Sequence, residues 1–200
     1  MVNEYCTLSE FKAYALPQAT ASTTDDAVIV RIIEGVSRWI DEQTGRRFGK
    51  NSTDEVRYFS PSDFRTVYVG EVVSIASVAL DLNGSREYAT ALDAAYYDLA
   101  PYNAALEGKP YNGLEIRPLS PYTFSSVRGS VKITGVFGWP SVPAHVKEMC
   151  LDIAKNVYHR RNGEGSGAGS ATITAAGVVI TPRDLSDFSR STLATLRNIT

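Results

Sequence analysis

Apolar residues recur every three to four positions at Ile29, Ile32, Ile33, Val36, Trp39 and Ile40, the spacing of one helix face. Asp25 and Asp26 precede this stripe and suit a helix amino terminus, and Gly45 follows it as a left-handed stop. A shorter helix is predicted upstream. Thr7 and Glu10 form a capping box, Leu8, Phe11 and Ala15 point inward, and Leu16-Pro17 ends the run. A polar link, Gln18 to Thr24, joins the two.

From about Val56 to Trp139 the period changes to two, with tyrosines and β-branched residues broken by Pro, Gly and Asn. Val78, Leu80 and Leu82 alternate into Asn83-Gly84, which predicts a tight hairpin returning through Arg86 to Ala89. Leu114 and Ile116, then Val131, Ile133, Phe137 and Trp139, mark later strands. Helical spacing resumes after Pro143, with Val146, Met149, Cys150, Ile153, Val157 and Tyr158 in one stripe. Arg160 and Arg161 stand where a helix carboxy terminus favours cations.

Gly163 to Ser170 reads as a flexible loop. Ile173 to Ile180 reads as a small hairpin or extended arm, and the span Gly163 to Ile180 is expected to be mobile in the isolated chain and ordered in an assembly. A last helix is predicted from Thr181-Pro182, with Leu185, Phe188, Thr192, Leu193, Leu196 and Ile199 on one side. The expected fold is α+β: a bundle of about four helices with an antiparallel β module inserted between the second and third. The helical domain is 1–52 plus 141–200, and the β module is 53–140.

Composition narrows the function. The 200 residues are 44% hydrophobic and 21% charged, as in a globular chain. No apolar run approaches the roughly 18 residues that span a bilayer, and Met1 to Glu10 lacks a basic segment followed by an apolar one. A protein made in the cytoplasm, with no membrane partner, is the expectation. The net charge of −2 argues against affinity built on neutralised phosphates. Cys6 and Cys150 make neither a disulfide framework nor a metal knuckle and are expected to be buried thiols.

Candidate chemistry is sparse. His145 and His159 lie 14 residues apart on one predicted helix, about 21 Å at 1.5 Å per residue, too far to share a site. His145 and Glu148 lack the second histidine of a zinc motif. Gly45, Gly49 and Lys50 miss the spacing of a phosphate loop, and the glycines of 163–169 follow a helix where a dinucleotide fingerprint follows a strand. Asp184 and Asp187 are accounted for as helix caps. No catalytic residue, cofactor or metal is expected, and the chain reads as a non-enzyme.

Two segments carry a resemblance. One is DDAVIVRIIEGVSRWIDEQTGRRF, Asp25 to Phe48, behind a short capped helix and a polar link. The other is SVKITGVFGWPSVPAHVKEMCLDIAKNVYHRRNGEG, Ser130 to Gly165: a strand, Gly-Trp-Pro, a helix with a late tyrosine, and basic residues before a glycine-rich loop. Together, over about 60 residues, these resemble the head-tail connector (adaptor) family of tailed bacteriophages, also described as DNA-packaging or head-completion proteins. The smallest members lack a β insertion of this size.

The resemblance implies a virion neck protein that forms a ring, usually twelve-fold, beneath the portal. Such a ring extends the DNA channel, lets DNA pass without sequence-specific binding, and offers a surface to a stopper or tail-completion protein. It also implies that the carboxy-terminal segment, Ile173 to Thr200, engages the portal, with Arg183, Phe188, Arg190, Leu193, Leu196 and Arg197 as candidate docking residues. Arg46, Arg47 and Lys50 are candidate DNA-channel or subunit contacts, or simply a solvated helix end. Tyr96, Tyr97, Tyr102, Tyr111 and Tyr122 are β-module core, rim or interface. The rival readings are another virion closure protein, or a cytoplasmic ligand-binding module or enzyme using Tyr88, Tyr97 and Asp98.

Overall fold

The computed structural model describes residues 4–20, 22–162, 173–174, 177–178, 180–181 and 184–197. Numbered in chain order, the helices are α1 (Leu8–Ala15), α2 (Asp26–Thr44), α3 (Ala144–Arg161) and α4 (Asp187–Leu196). The strands are β1 (Glu55–Phe59), β2 (Thr66–Leu80), β3 (Thr90–Leu92), β4 (Tyr97–Ala100), β5 (Tyr111–Ile116), β6 (Val131–Phe137), β7 (Ile173–Thr174) and β8 (Gly177–Val178). The chain therefore has the expected α+β class, with an antiparallel β module between the second and third helices. It divides into two compact units, a helical one from Met1–Phe48 with Val142–Thr200 and a β one from Gly49–Ser141.

In the helical unit, α1 starts on the expected capping box: Thr7 Oγ1 accepts the Glu10 N–H while the Glu10 carboxylate accepts the Thr7 N–H. The Lys147 ammonium, 2.7 Å from Glu10 Oε1, and then the Thr7 amide hold that carboxyl below its usual range. This part of the stability is present above the ordinary glutamate range near about pH 4.3 and fades as the pH falls through the lowered value. Thr7→Ala is expected to cost about 1 kcal/mol, a drop of about 2–4 °C in melting temperature that thermal melts of the helical signal will read.

The α2 stripe is buried as its period predicts, with Ile32, Ile33, Val36 and Ile40 fully covered, each such side chain contributing about 1.5–3 kcal/mol. It meets the α3 stripe of Val146, Met149, Cys150, Ile153, Val157 and Tyr158, also buried. Phe11 of α1 sets its ring edge-on to Tyr158 at 5.9 Å. Trp39, expected inside, is half-buried, and Ser37 takes the interior position instead. Ser37 can do so because its hydroxyl donates to the Ile33 carbonyl at 2.8 Å and accepts the Tyr5 N–H at 3.1 Å.

Asp25 ends up with a different task from the one its position suggests. It makes no side-chain cap on α2; its carboxylate accepts the Tyr158 hydroxyl at 2.7 Å and ties the start of α2 to the end of α3. Gly45 stops α2 at φ 64°, as expected. Pro143 stands at the N-cap of α3, just before the first turn. β7 and β8 pair as a two-stranded antiparallel sheet, while the glycine run 163–170 lies outside the described residues.

The last helix begins at Asp187, not at Thr181-Pro182. Asp184 intervenes by binding back to Thr181: its carboxylate accepts the Thr181 N–H at 2.6 Å and its own N–H donates to the Thr181 carbonyl. Ser186 is then the cap, accepting the Ser189 N–H at 3.1 Å.

The β unit is a six-stranded antiparallel sheet in the order β1-β6-β2-β5-β4, with β3 also paired to β2. The 15-residue β2 organises it, pairing β5 along its first half and β6 along its second. Its register breaks between Tyr68 and Val72, where Gly70 takes φ 70°, and again on the β6 side. Val67, Val69, Val78, Leu80, Leu114, Ile116, Val131, Ile133 and Phe137 cover one face of the sheet as a single core, the alternation read from the sequence.

Two strand boundaries differ from expectation. Asn83-Gly84 does not make a two-residue hairpin, because the buried Asp81 carboxylate accepts both the Gly84 N–H at 2.8 Å and the Arg86 N–H at 3.1 Å. That longer loop places Arg86 and Tyr88 at positive φ, and both side chains donate to the Gly129 carbonyl. The return strand is therefore β3, with Thr90 opposite Leu80. Trp139 lies beyond β6, which ends at Phe137 because Gly138 turns to φ 109°.

Candidate assembly surfaces

One face of α3 presents Asp152, Asn156 and Arg160 at four-residue spacing, a row that neighbouring chain can read. The Asp152 carboxylate accepts the Ser186 and Ser189 hydroxyls at 2.5 and 2.7 Å. Asn156 donates to the Asp184 carbonyl at 3.0 Å, and Arg160 pairs with the Asp184 carboxylate at 2.9 Å. The segment entering α4 is thus buttoned to α3 at three successive turns. Two serine hydroxyls donating to one carboxylate make an anchor for this segment.

This arrangement sorts the candidate docking residues. Leu193 and Leu196 are 6% and 7% exposed, so they hold α4 to its own unit. Phe188 faces outward at 49% exposure, and Arg190 is exposed beside Asp187, 3.9 Å away. Arg197 is exposed and reaches Gln43 Oε1 at 3.5 Å. Arg183 lies outside the described residues.

The basic group is likewise divided. Arg46 lays its guanidinium 5.3 Å from the Phe48 ring centre, a packing role for a cation. Arg47 is exposed in the helical unit, and Lys50 is exposed in the β unit. The turn that carries Arg46 and Arg47 is fixed from inside: the buried Tyr5 hydroxyl donates to Asp41 Oδ1 and accepts the Phe48 N–H at 2.9 Å. Burial pushes both the Tyr5 phenol and the Asp41 carboxyl upward, and the Asp41 bond adds to the first shift.

In the β unit, Tyr96, Tyr97, Tyr111 and Tyr122 pack half-buried on the core, whereas Tyr102 is 67% exposed. Val56, Tyr58 and Tyr68 stand on the opposite, solvent face of the sheet, and Phe64, Leu106 and Leu119 are exposed on loops. Tyr58 and Tyr88 meet at 5.2 Å. Tyr88, Tyr97 and Asp98 each have structural work: Tyr88 bonds Gly129, Tyr97 packs on the core, and Asp98 accepts Arg117 at 2.5 Å. That guanidinium holds the Asp98 carboxyl low.

His145 is exposed at the start of α3, and His159 meets Tyr158 edge-on near its end. Among the described residues, no group of three or more His, Cys, Asp or Glu side chains is placed to hold a metal ion, and no helix is long and apolar enough to cross a membrane. The contact that sequence spacing could not reveal is Cys6 against Cys150, with sulfurs 3.7 Å apart across 144 residues.

No protein-family model matches the sequence, and no curated protein matches it. Solved structures do. A chain from the neck of an empty gene transfer agent (GTA) particle, computed with C6 symmetry, has a TM-score of 0.55 at 15% identity, covering 100% of this chain and 96% of that one. A chain of the virion of a native GTA particle has a TM-score of 0.55 at 16% identity, with coverage of 98% and 91%. A chain from the neck of a native GTA particle computed with C12 symmetry has a TM-score of 0.50 at 17% identity, with coverage of 100% and 96%. At these identities the likeness establishes a shared fold, and it takes in both units.

Proposed function

We propose that this chain is a structural subunit of the neck of a phage-like particle, and more narrowly a head-tail connector that forms a ring beneath the portal. The observation that carries the reading is the fold likeness, along essentially the whole chain, to chains of GTA necks. The C6 and C12 symmetry of those neck structures supports a homo-oligomeric ring, for which twelve copies is the natural number. The neck is then its location, and DNA passes through the ring without sequence-specific contact. The small negative net charge suits such passage, because tight phosphate binding would stall it.

In this reading α4 is the portal-docking element, held by Leu193 and Leu196 so that Phe188 and Arg190 face the partner. The other exposed features, Arg47, Lys50 and the solvent face of the sheet, remain for neighbouring subunits, the channel, and a stopper or tail-completion protein. Light-scattering mass and negative-stain imaging of the chain, alone and mixed with portal rings, test the proposal. Rings or capped portals are expected. A double variant, Phe188→Asp with Arg190→Glu, is expected to weaken portal capping at least tenfold with an unchanged melting temperature, since exposed positions carry little stability. A persistent monomer that ignores the portal would overturn the reading.

A further inference from the structure

Cys6 lies in the segment that precedes α1, and Cys150 lies midway along α3. Their sulfurs stand 3.7 Å apart, both thiols are free, and the two residues are 2% and 0% exposed. A disulfide needs about 2.05 Å between sulfurs, so under about 2 Å of closure separates this contact from a bond. The surroundings hold the pair in register. The Tyr5 N–H binds Ser37 Oγ, that oxygen lies 3.7 Å from Cys150 Sγ, and Lys147 reaches Glu10 at 2.7 Å on the neighbouring turn.

We propose that Cys6 and Cys150 are an oxidisable thiol pair, a latent intramolecular disulfide whose co-reactant is a small-molecule disulfide and whose closure staples the segment before α1 to α3. The Cys6 thiolate attacks one sulfur of the oxidant and expels the first thiolate, leaving a mixed disulfide. Cys150, as thiolate, then attacks Cys6 Sγ and expels the second. Two protein thiols are oxidised, one disulfide is reduced to two thiols, and the two protons pass to the released thiolates.

Contact with Cys150 and burial both push the Cys6 thiol upward, so its thiolate is scarce at neutral pH. Both residues are covered, so the oxidant reaches Cys6 only when the segment before α1 opens, which makes closure slow, and closure quickens as the pH rises toward the ordinary thiol range. A reducing cytosol keeps the pair open, and oxidising surroundings close it. This holds whether or not the chain is a neck subunit.

The test uses the full chain with oxidised glutathione at pH 8, followed by non-reducing mass measurement and peptide mapping. Loss of two hydrogens, a linked Cys6–Cys150 peptide, and protection of both thiols from alkylation after unfolding are expected. Because the bond closes a span of 144 residues, the melting temperature should rise by about 10 °C and return on adding a dithiol. Cys6→Ser should show no loss of hydrogen. Unchanged thiols, stable glutathione adducts on both residues, or linkage between chains would each overturn the proposal, and the mapping of unmutated protein decides it even if the variant fails to fold.

Discussion

Gly138→Ala is expected to remove about 4 kcal/mol from the stability of the β unit, by adding backbone strain of about 1–3 kcal/mol to a steric cost of similar size. A β-carbon there would lie 2.1 Å from the Gly49 carbonyl oxygen and 2.9 Å from both Gly49 C and Lys50 Cα. All three are main-chain atoms, so no side chain can swing aside. The neighbouring backbone is also tied down, since Gly138 N–H donates to the Glu71 carbonyl at 2.9 Å and Asn51 N–H to the Phe137 carbonyl at 3.0 Å. At φ 109° the residue lies where only glycine is at ease.

Gly70 supplies the control. It takes φ 70° with no atom within 4 Å of its would-be β-carbon, so Gly70→Ala should cost only the left-handed penalty of about 1 kcal/mol. Urea unfolding followed by Trp139 fluorescence in a Trp39→Phe background separates the two. At about 2 kcal/mol per molar, Gly138→Ala should lower the midpoint by about 2 M and Gly70→Ala by about 0.5 M. Equal, small shifts would show that the backbone crossing at Gly49 yields easily.

Much of the fold could be read from the sequence because its signals are local. The isoleucines at 29, 32, 33 and 40 had to share a helix face, and the capping box at Thr7 and the stop at Gly45 needed no distant partner. Strand order is a different matter. Nothing local says that β2 lies between β5 and β6, or that bulges divide it between them. Two of the boundary errors share one physical origin, a carboxylate that offers the backbone an alternative, while the strand end before Trp139 comes from the turn at Gly138. Asp81 opens the Asn83-Gly84 turn into a longer loop, and Asp184 takes the Thr181 N–H where the last helix was expected to start.

The candidate surfaces were less legible than the fold. An apolar stripe such as Phe188, Leu193 and Leu196 announces burial without saying whose core it enters, and only packing shows that the leucines turn inward while Phe188 turns out. Arg46 stacks on Phe48 in the same indifferent way. The proximity of Cys6 to Cys150 has no sequence signature at all, because the fold alone closes the distance.

Asp184→Ala is expected to release the carboxy-terminal helix while leaving α3 folded. The carboxylate is 2% exposed and serves three donors: Thr181 N–H at 2.6 Å, Thr181 Oγ1 at 3.0 Å and Arg160 at 2.9 Å. Its loss takes the carboxylate away from an arginine whose side chain is only 18% exposed. Breaking a buried pair on one side costs about 3–5 kcal/mol, and the water still reaching Arg160 puts the expectation near the lower end, about 3 kcal/mol. α4 spans only ten residues and has few buried apolar anchors beyond Leu193 and Leu196, so it should bear that loss locally. Hydrogen exchange should show protection in α4 falling about hundredfold, with the interior of α3 unchanged. Asn156→Ala, which removes a neutral bond to the Asp184 carbonyl, should cost only about 1 kcal/mol. If α4 docks on a portal, Asp184→Ala weakens capping by unfastening the helix, whereas the exposed Phe188 and Arg190 changes weaken it with exchange unaltered. Undiminished capping by a chain whose α4 exchanges freely would mean that the partner reads another surface, and loss of protection throughout α3 would mean that Asp184 braces the whole helical unit.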